Sequence, residues 1–153
     1  MAITQAMCTS FKQDLMDKVM DLGSGGDTIK IALYSSSADL GAGTTAYTTS
    51  GEITNTSGTA YTAGGVLLEN AVVDVANESV SGGTAYFDAD DPEWTSASFT
   101  TGGALIYNKT LYDSDNAKGA IATLNFGGDF TVTSGTFRIV FPDPGTTAIV
   151  RID

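Results

Sequence analysis

The sequence contains no histidine and only one cysteine, Cys8, among its 153 residues. Because a second cysteine is missing, the chain cannot form an internal disulfide, which fits folding in a reducing cytoplasm. Because histidine is missing, Cys8 has no imidazole to activate it as a nucleophile. These absences predict a protein that is not an enzyme, and nothing in the sequence indicates that it binds a cofactor.

Basic residues are also scarce, since seven Lys and Arg stand against 18 Asp and Glu and the formal net charge is −11. The basic residues form no stripe, which disfavours contacts with the phosphates of nucleic acid. The negative charge disfavours an anionic membrane as a partner. The sequence has neither an apolar run long enough to cross a bilayer nor the pattern of a signal peptide. We therefore expect no nucleic-acid and no membrane partner.

Charged residues make up only 16% of the chain, so Ser, Thr, Asn and Gly must supply most of the polar surface. Thr favours strands and Gly favours turns, so this composition is typical of β proteins. A chain of this length fits one domain. The composition predicts a single, mainly β domain over residues 1–153.

One amphipathic helix is predicted at the N-terminal end, over residues 1–23. Thr4 is its expected N-cap, and Gly23 is the glycine expected just beyond its end. The helix either packs on the sheet, which we favour, or docks on a partner through Phe11 and Leu15. Its apolar stripe recurs every three or four positions and consists of Ile3, Met7, Phe11, Leu15, Val19 and Leu22.

Apolar residues alternate with polar ones over much of residues 27–153, which is typical of strands. Turn signals such as "SGG", "TGG", "FGGD" and "PDPG" separate the strands at roughly 8–12 residue intervals. This spacing predicts a sandwich or a barrel, and we expect a β-sandwich that is jelly-roll-like. The residues expected in its core are Ile29, Ile31, Leu33, Trp94, Phe126, Phe137, Ile139 and Phe141.

A long loop is predicted at about residues 35–58, where apolar patterning is weak. Long loops in compact β domains are often binding loops. Tyr47 lies in this loop and Tyr61 lies in the Gly/Thr-rich segment just after it, and these are the aromatic residues expected at an interface. The two tyrosines belong to a short repeated motif, which occurs as "TAYTTSGEI" and again fourteen residues later as "TAYTAGGVL".

Four acidic residues, Asp88, Asp90, Asp91 and Glu93, are the candidate metal ligands. Hard cations such as Ca²⁺ bind several carboxylate oxygens, but this spacing does not match the EF-hand loop. Pro92 also restricts Asp91 to an extended backbone. We expect a solvated acidic turn here and no metal.

The chain resembles small virion proteins of tailed bacteriophages from Phe11 to its C-terminus. The resemblance departs at Ala60, where we expect Gly, and this suggests that position 60 does not require a positive φ. The motifs that carry it are "FKQDLMDKV", "DTIKIALYSSSADLG", "TAYTTSGEI", "GTAYTAGGVLLEN", "FDADDPEWTSASFTTGGALIYN" and "ATLNFGGDFTVTSGTFRIVFP".

The resemblance implies a β-rich structural protein of the virion that is made in the cytoplasm of the bacterial host. We expect a capsid decoration or cement protein that binds the major capsid protein and copies of itself, with a homotrimer as one form. Two alternatives stay open. One is a component of the tail, baseplate or fibre, and the other is a carbohydrate-binding β-sandwich module.

Overall fold

The computed structural model describes residues 2–54, 60–76, 83–144 and 148–152. Strands account for 44% of the structure and helices for 10%, which confirms the mainly β class. The elements in chain order are β1 (Ala6–Met7), α1 (Thr9–Met16), β2 (Ile29–Tyr34), β3 (Val66–Leu67), β4 (Val72–Ala76), β5 (Thr84–Asp88), β6 (Glu93–Asn108), α2 (Lys109–Ser114), β7 (Ala120–Arg138) and β8 (Val150–Ile152).

The strands form two antiparallel sheets. The larger has five strands in the order β1-β7-β6-β2-β3, and the smaller has three in the order β4-β5-β8. In the larger sheet, β2 lies along one half of β6, with Ile29 opposite Asn108 and Tyr34 opposite Gly103. The alternating run in β2 is confirmed as core, because Ile29, Ile31 and Leu33 are all buried.

The longest strands, β6 and β7, run through two places where the sequence predicted turns. A Cβ atom on Gly103 would lie 2.4 Å from the carbonyl oxygen of Leu124, so the glycines of "TGG" permit close packing and no turn forms there. The "FGGD" segment is a bulge, because the register passes from Thr101–Phe130 to Gly103–Asn125 and leaves four β7 residues unpaired.

The predicted N-terminal helix is much shorter than expected. Ala6 and Met7 pair with β7 as strand β1, so the helix begins only after Cys8, and Thr4 is not its N-cap. The helix ends at Met16, well before Gly23, and Lys18 just beyond it has a φ of 61°. The edge of β7 offers strand hydrogen bonds to residues 6 and 7, and this pairing overrides the helical pattern of the sequence.

A second helix, α2, was not predicted, so the expectation of one helix is wrong. Asn108 caps it, because its side-chain oxygen accepts a hydrogen bond from the backbone N–H of Leu111 at 2.8 Å. Its helical residues are only six, from Lys109 to Ser114, which is too short for an apolar stripe to show in the sequence.

Most of the predicted core is buried. Trp94, Ile139 and Phe141 are buried together with the β2 residues, whereas Phe126 and Phe137 are only partly buried. The predicted loop is confirmed over residues 35–54, where the chain forms two isolated bridges, Tyr34–Glu52 and Ala46–Gly119, and no strand. The remainder of the predicted loop that falls on residues 55–59 lies outside the described residues.

Candidate interaction surfaces

The carboxylate of Glu52 connects the long loop to the chain that leads into β3. One carboxylate oxygen accepts a hydrogen bond from the Tyr47 hydroxyl at 2.5 Å. The other accepts from the Tyr61 hydroxyl at 2.6 Å and from the backbone N–H of Gly64 at 2.7 Å. Hydrogen bonds to an ionised acceptor are stronger than those between neutral groups, so Glu52 holds these two segments firmly together.

Aromatic packing reinforces this network. The ring of Tyr47 stacks on that of Tyr107 with centroids 4.9 Å apart, and Tyr112 meets both rings edge-on. The Tyr107 hydroxyl donates to the carbonyl oxygen of Gly64 at 2.8 Å, and the Tyr34 hydroxyl donates to that of Thr48 at 2.5 Å. Residues of the loop are thereby fixed to β2 and β6.

Burial shifts the pKa of the tyrosines in this network upward. It raises the pKa values of Tyr34, Tyr47, Tyr61 and Tyr107 above the usual value of 10.0. For Tyr47 and Tyr61 the next cause is the hydrogen bond donated to Glu52, which ionisation would remove. For Tyr34 and Tyr107 the second cause of the raised pKa is the negative charge of Glu52. All four hydroxyls therefore stay protonated and act as donors at neutral pH.

The expectation that Tyr61 is an exposed interface residue is wrong. Its side chain is only 1% exposed, and its hydroxyl accepts the backbone N–H of Leu33 at 3.0 Å in addition to binding Glu52. Tyr47 is partly buried and packed against the core. Both tyrosines therefore stabilise the loop from inside, and neither offers an open aromatic face to a partner.

The inference about Ala60 is also wrong, because this residue has a φ of 60°. An alanine in the left-handed region is strained, and this is the kind of position where glycine is the ordinary choice. Ala60 directly precedes Tyr61. The strained backbone therefore lies at the point where the chain turns the Tyr61 side chain towards Glu52.

The outer surface of the loop consists of small side chains. An open depression there is lined by residues 39–48 together with Ala2 and Thr4. Ala42, Gly43 and Thr45 are exposed along it, while Ala38 and Leu40 point into the core. The loop thus presents a fixed, nearly uncharged surface that is suited to close contact and hydrogen bonding.

The two helix residues expected at an interface have different environments. Phe11 is fully buried, so its role as an exposed docking residue is wrong. Leu15 is partly buried and lines an apolar groove of about 330 Å³ between α1 and the smaller sheet. Met20, Phe87 and Val150 also line this groove. The favoured interpretation, that the helix packs on the protein itself, is confirmed for Phe11.

Two of the four candidate metal ligands, Asp90 and Asp91, bind neighbouring parts of the chain instead. Asp91 accepts hydrogen bonds from Arg138 and from the backbone N–H of Phe141, both at 2.8 Å. Asp90 accepts from the Asn70 side chain at 2.6 Å. Burial raises the pKa of Asp88. Across the described ranges, no group of three or more Asp, Glu, Cys or His side chains has an arrangement that could hold a metal ion, and Glu93 is exposed.

The single cysteine lies at the start of α1 and is fully buried. Burial raises the pKa of the Cys8 thiol to about 11, so the thiol is protonated at neutral pH. A protonated, inaccessible thiol is a poor nucleophile, and Cys8 acts as a small apolar residue beside the loop carbonyl of Gly41.

The far ends of β6 and β7 form a two-stranded ribbon, which we define as residues 93–101 paired with residues 130–138. One face carries Trp94, Phe99 and Phe137, whose rings contact each other. The opposite face is exposed and rich in Thr, as in the pair Thr100–Thr131 whose hydroxyls lie 2.8 Å apart.

No family model, curated protein or solved structure matches the chain. Neither helix in the described part of the chain has the length and hydrophobicity needed to cross a membrane.

Sequence reasoning did not identify Glu52 as the centre of the tyrosine network. The repeated motif could have indicated this network, because it places Tyr47 and Tyr61 at matching positions and Glu52 lies between them. Two similar tyrosines on either side of one acid in a sequence poor in charge would suggest a shared carboxylate.

Proposed function

We propose that this protein is a structural component of the virion of a tailed bacteriophage. It decorates the capsid by binding the major capsid protein in the assembled head lattice, and it is made in the cytoplasm of the host. Its chemistry is association, and we propose no catalytic activity and no cofactor. The motif resemblance over most of the chain supports this proposal, and the loop geometry gives it a physical basis.

The observation that carries the proposal is the fixed loop of residues 35–54. Glu52, Tyr47 and Tyr61 hold it in one conformation before any partner binds. A preorganised loop loses little conformational entropy on binding, so weak contacts contribute more of their energy to affinity. An assembled lattice repeats such contacts at fixed spacing and adds avidity.

The proposed contacts differ from the aromatic anchors expected from the sequence. With the rings of Tyr47 and Tyr61 turned inward, the loop offers small exposed residues such as Ala42 and Thr45. These favour close backbone approach and hydrogen bonds. We therefore assign the capsid contact to the depression over residues 39–48.

The finer architecture belongs to the same proposal. We infer that the two sheets form a β-sandwich, since Leu33 and Leu105 of the larger sheet share one hydrophobic cluster with Phe87 and Val150 of the smaller. A jelly roll has eight strands in two sheets. The chain also has eight described strands, although they are divided as five and three.

Of the two alternatives, the carbohydrate-binding module is the less favoured. Trp94 and Tyr61 are buried and Tyr47 is stacked on Tyr107, so these aromatic residues offer no open face to a sugar. The tail, baseplate or fibre component remains the second candidate. Copy number per virion separates it from decoration, because a head protein is present in hundreds of copies, on the order expected for a lattice of repeated sites.

The test uses empty capsids assembled from the major capsid protein encoded in the same genome. The purified chain should co-sediment with these capsids and bind unassembled subunits poorly. Thr45→Arg should weaken capsid binding, because it places a long charged side chain in the contact. Thr95→Arg, at an exposed threonine of the ribbon, is the matched control and should bind as the unaltered protein does. Equal binding by both variants would remove the loop from the interface, and no binding to capsids would overturn the proposal.

A further inference from the structure

The outer edge of β7 has no partner strand along its far half. In the larger sheet β7 lies between β6 and β1, but β1 pairs only with Ala122 and Thr123. Within the described ranges, residues 129–138 therefore expose the hydrogen-bonding edge that faces away from β6. We call these residues the β7 edge. An open edge of this length is a template for adding another strand.

We propose that the β7 edge pairs with the β7 edge of a second copy, antiparallel and about a two-fold axis between Thr133 and Ser134. This inference goes beyond capsid binding and stands without it. A two-fold contact uses the same surface on both copies, so the edge must be complementary to itself. The sequence of the edge, "DFTVTSGTFR", has this property.

The register places opposite charges and similar side chains across the axis. Asp129 lies opposite the second copy's Arg138, Phe130 opposite its Phe137, and Thr131 opposite its Thr136. Each of these pairs occurs twice by symmetry. Cross-strand pairs between opposite charges, between aromatics and between threonines are the stabilising combinations in antiparallel sheets.

The charges at the two ends are available for this pairing. Asp129 is exposed, and its side chain makes no hydrogen bond or ion pair within the described residues. Arg138 binds Asp91 through one nitrogen at 2.8 Å, yet its side chain is 55% exposed. A guanidinium has five N–H donors, so Arg138 can bind a second carboxylate while it keeps the first.

Apolar surface lies at the same edge. Phe130 is 50% exposed and Val140 is 71% exposed, and both line a groove with Phe126 and Phe137. In the proposed register Phe130 lies next to the groove of the second copy. Pairing would therefore bury apolar surface that the single chain leaves in water.

A bulge in the middle of the β7 edge makes a second copy a better partner for this edge than a regular strand would be. The register with β6 shifts between Ala97–Gly135 and Phe99–Val132, and Ser134 there has a φ of 48°. A regular strand would lose alignment with β7 at this bulge. Two copies related by the proposed axis place their bulges opposite each other, so the ladder continues in register on both sides. This geometry favours a pair over the homotrimer expected above.

Cysteine cross-linking tests the register. The native Cys8 is buried and its pKa is raised to about 11, so it gives little background. A mixture of Thr131→Cys and Thr136→Cys proteins should form a disulfide-linked dimer under mild oxidation, while either variant alone should form much less. Thr100→Cys mixed with Thr136→Cys is the matched control, because Thr100 is exposed one strand further from the edge. Cross-linking by Thr131→Cys alone, or none in the first mixture, would overturn the proposal.

Sedimentation over a concentration series tests the charges independently. The unaltered protein should reversibly reach the mass of two chains. Asp129→Arg should weaken dimerisation about tenfold, because two like-charged pairs replace two opposite ones. Glu69→Arg, at an exposed position away from the β7 edge, should have no comparable effect. A mass of one chain at every concentration, or dimerisation of the Asp129→Arg variant as tight as that of the unaltered protein, would contradict the pairing.

Discussion

The two halves of the β6–β7 pair differ in what covers them, although the same two strands form both. Near α2, every residue from Gly103 to Asn108 is buried, and β2 lies alongside. In the ribbon, most of the β7 residues are exposed and no third strand flanks them within the described residues. The first half resembles the interior of a sheet, and the second resembles a surface prepared for contact.

The difference between the halves follows from the segments that pack against each of them. The loop of residues 35–54 folds beside the end of β2, where the backbone N–H of Ile53 donates to Leu33 at 3.0 Å. Glu52, which belongs to this loop, accepts hydrogen bonds from the hydroxyl groups of Tyr47 and Tyr61. The ribbon is contacted by the short turn between β5 and β6, which holds it through Asp91 and Arg138, and by Tyr61, whose ring meets that of Phe99 edge-on with centroids 6.3 Å apart. Stability is therefore concentrated in the first half, and exposed strand edges in the second.

The largest expected effect compares truncations in the two halves. Leu105→Ala should lower the free energy of unfolding by about 3 kcal/mol, because Leu105 is fully buried in a central strand. Phe130→Ala should cost about 1 kcal/mol or less in dilute solution, since half of its side chain is already exposed. Phe137→Ala, which is partly buried, should fall between them. Urea unfolding measures all three, and equal losses would show that the halves do not differ in stability.

The second prediction concerns the centre of the tyrosine network. Glu52→Gln should lower the free energy of unfolding by about 2 kcal/mol, because the amide cannot accept from all three donors that bind the carboxylate. Glu69→Gln is the matched control, because Glu69 is exposed, and it should change stability by less than about 0.5 kcal/mol. If both variants unfold at the same urea concentration, Glu52 does not hold the loop.

Part of this contrast could be predicted from the sequence. The alternation of Ile29, Ile31 and Leu33 identified a buried strand because strand periodicity is local. The bulge and the close packing at Gly103 could not be distinguished from turns, since glycine permits all three. The contacts of Glu52 depend on how the loop packs against the chain that leads into β3, and the repeated "TAY" motif on either side of Glu52 is the local signal that could have indicated them.

The third prediction uses pH to sharpen the comparison. Unfolded tyrosines ionise near pH 10, whereas burial keeps Tyr34 and Tyr61 protonated to higher pH. Above pH 10 only the unfolded state releases these protons, so stability is full below this pH and falls above it. Cys8 acts in the same direction between its usual pKa of 9.0 and about 11.

Each fully buried tyrosine should remove about 1.4 kcal/mol of stability per pH unit above 10. Urea unfolding from neutral pH to pH 11 measures this slope. Tyr61→Phe should be less stable than the unaltered protein at neutral pH, because its hydrogen bonds to Glu52 and Leu33 are lost. Its stability should nevertheless fall less steeply above pH 10. An unchanged slope in the variant would mean that Tyr61 ionises equally in both states.

The smallest expected effect lies at the backbone beside the network. Ala60→Gly should raise the free energy of unfolding by about 0.5–1 kcal/mol, because it relieves an alanine held at a φ of 60°. Ala42→Gly is the matched control: Ala42 is also exposed but has no positive φ, so glycine there should destabilise slightly by making the unfolded chain more flexible. Opposite signs for the two variants would show that the strain is real and local. A loss of stability in both would mean that residue 60 adopts an ordinary backbone in solution, and the turn that directs Tyr61 towards Glu52 would then need a different geometry.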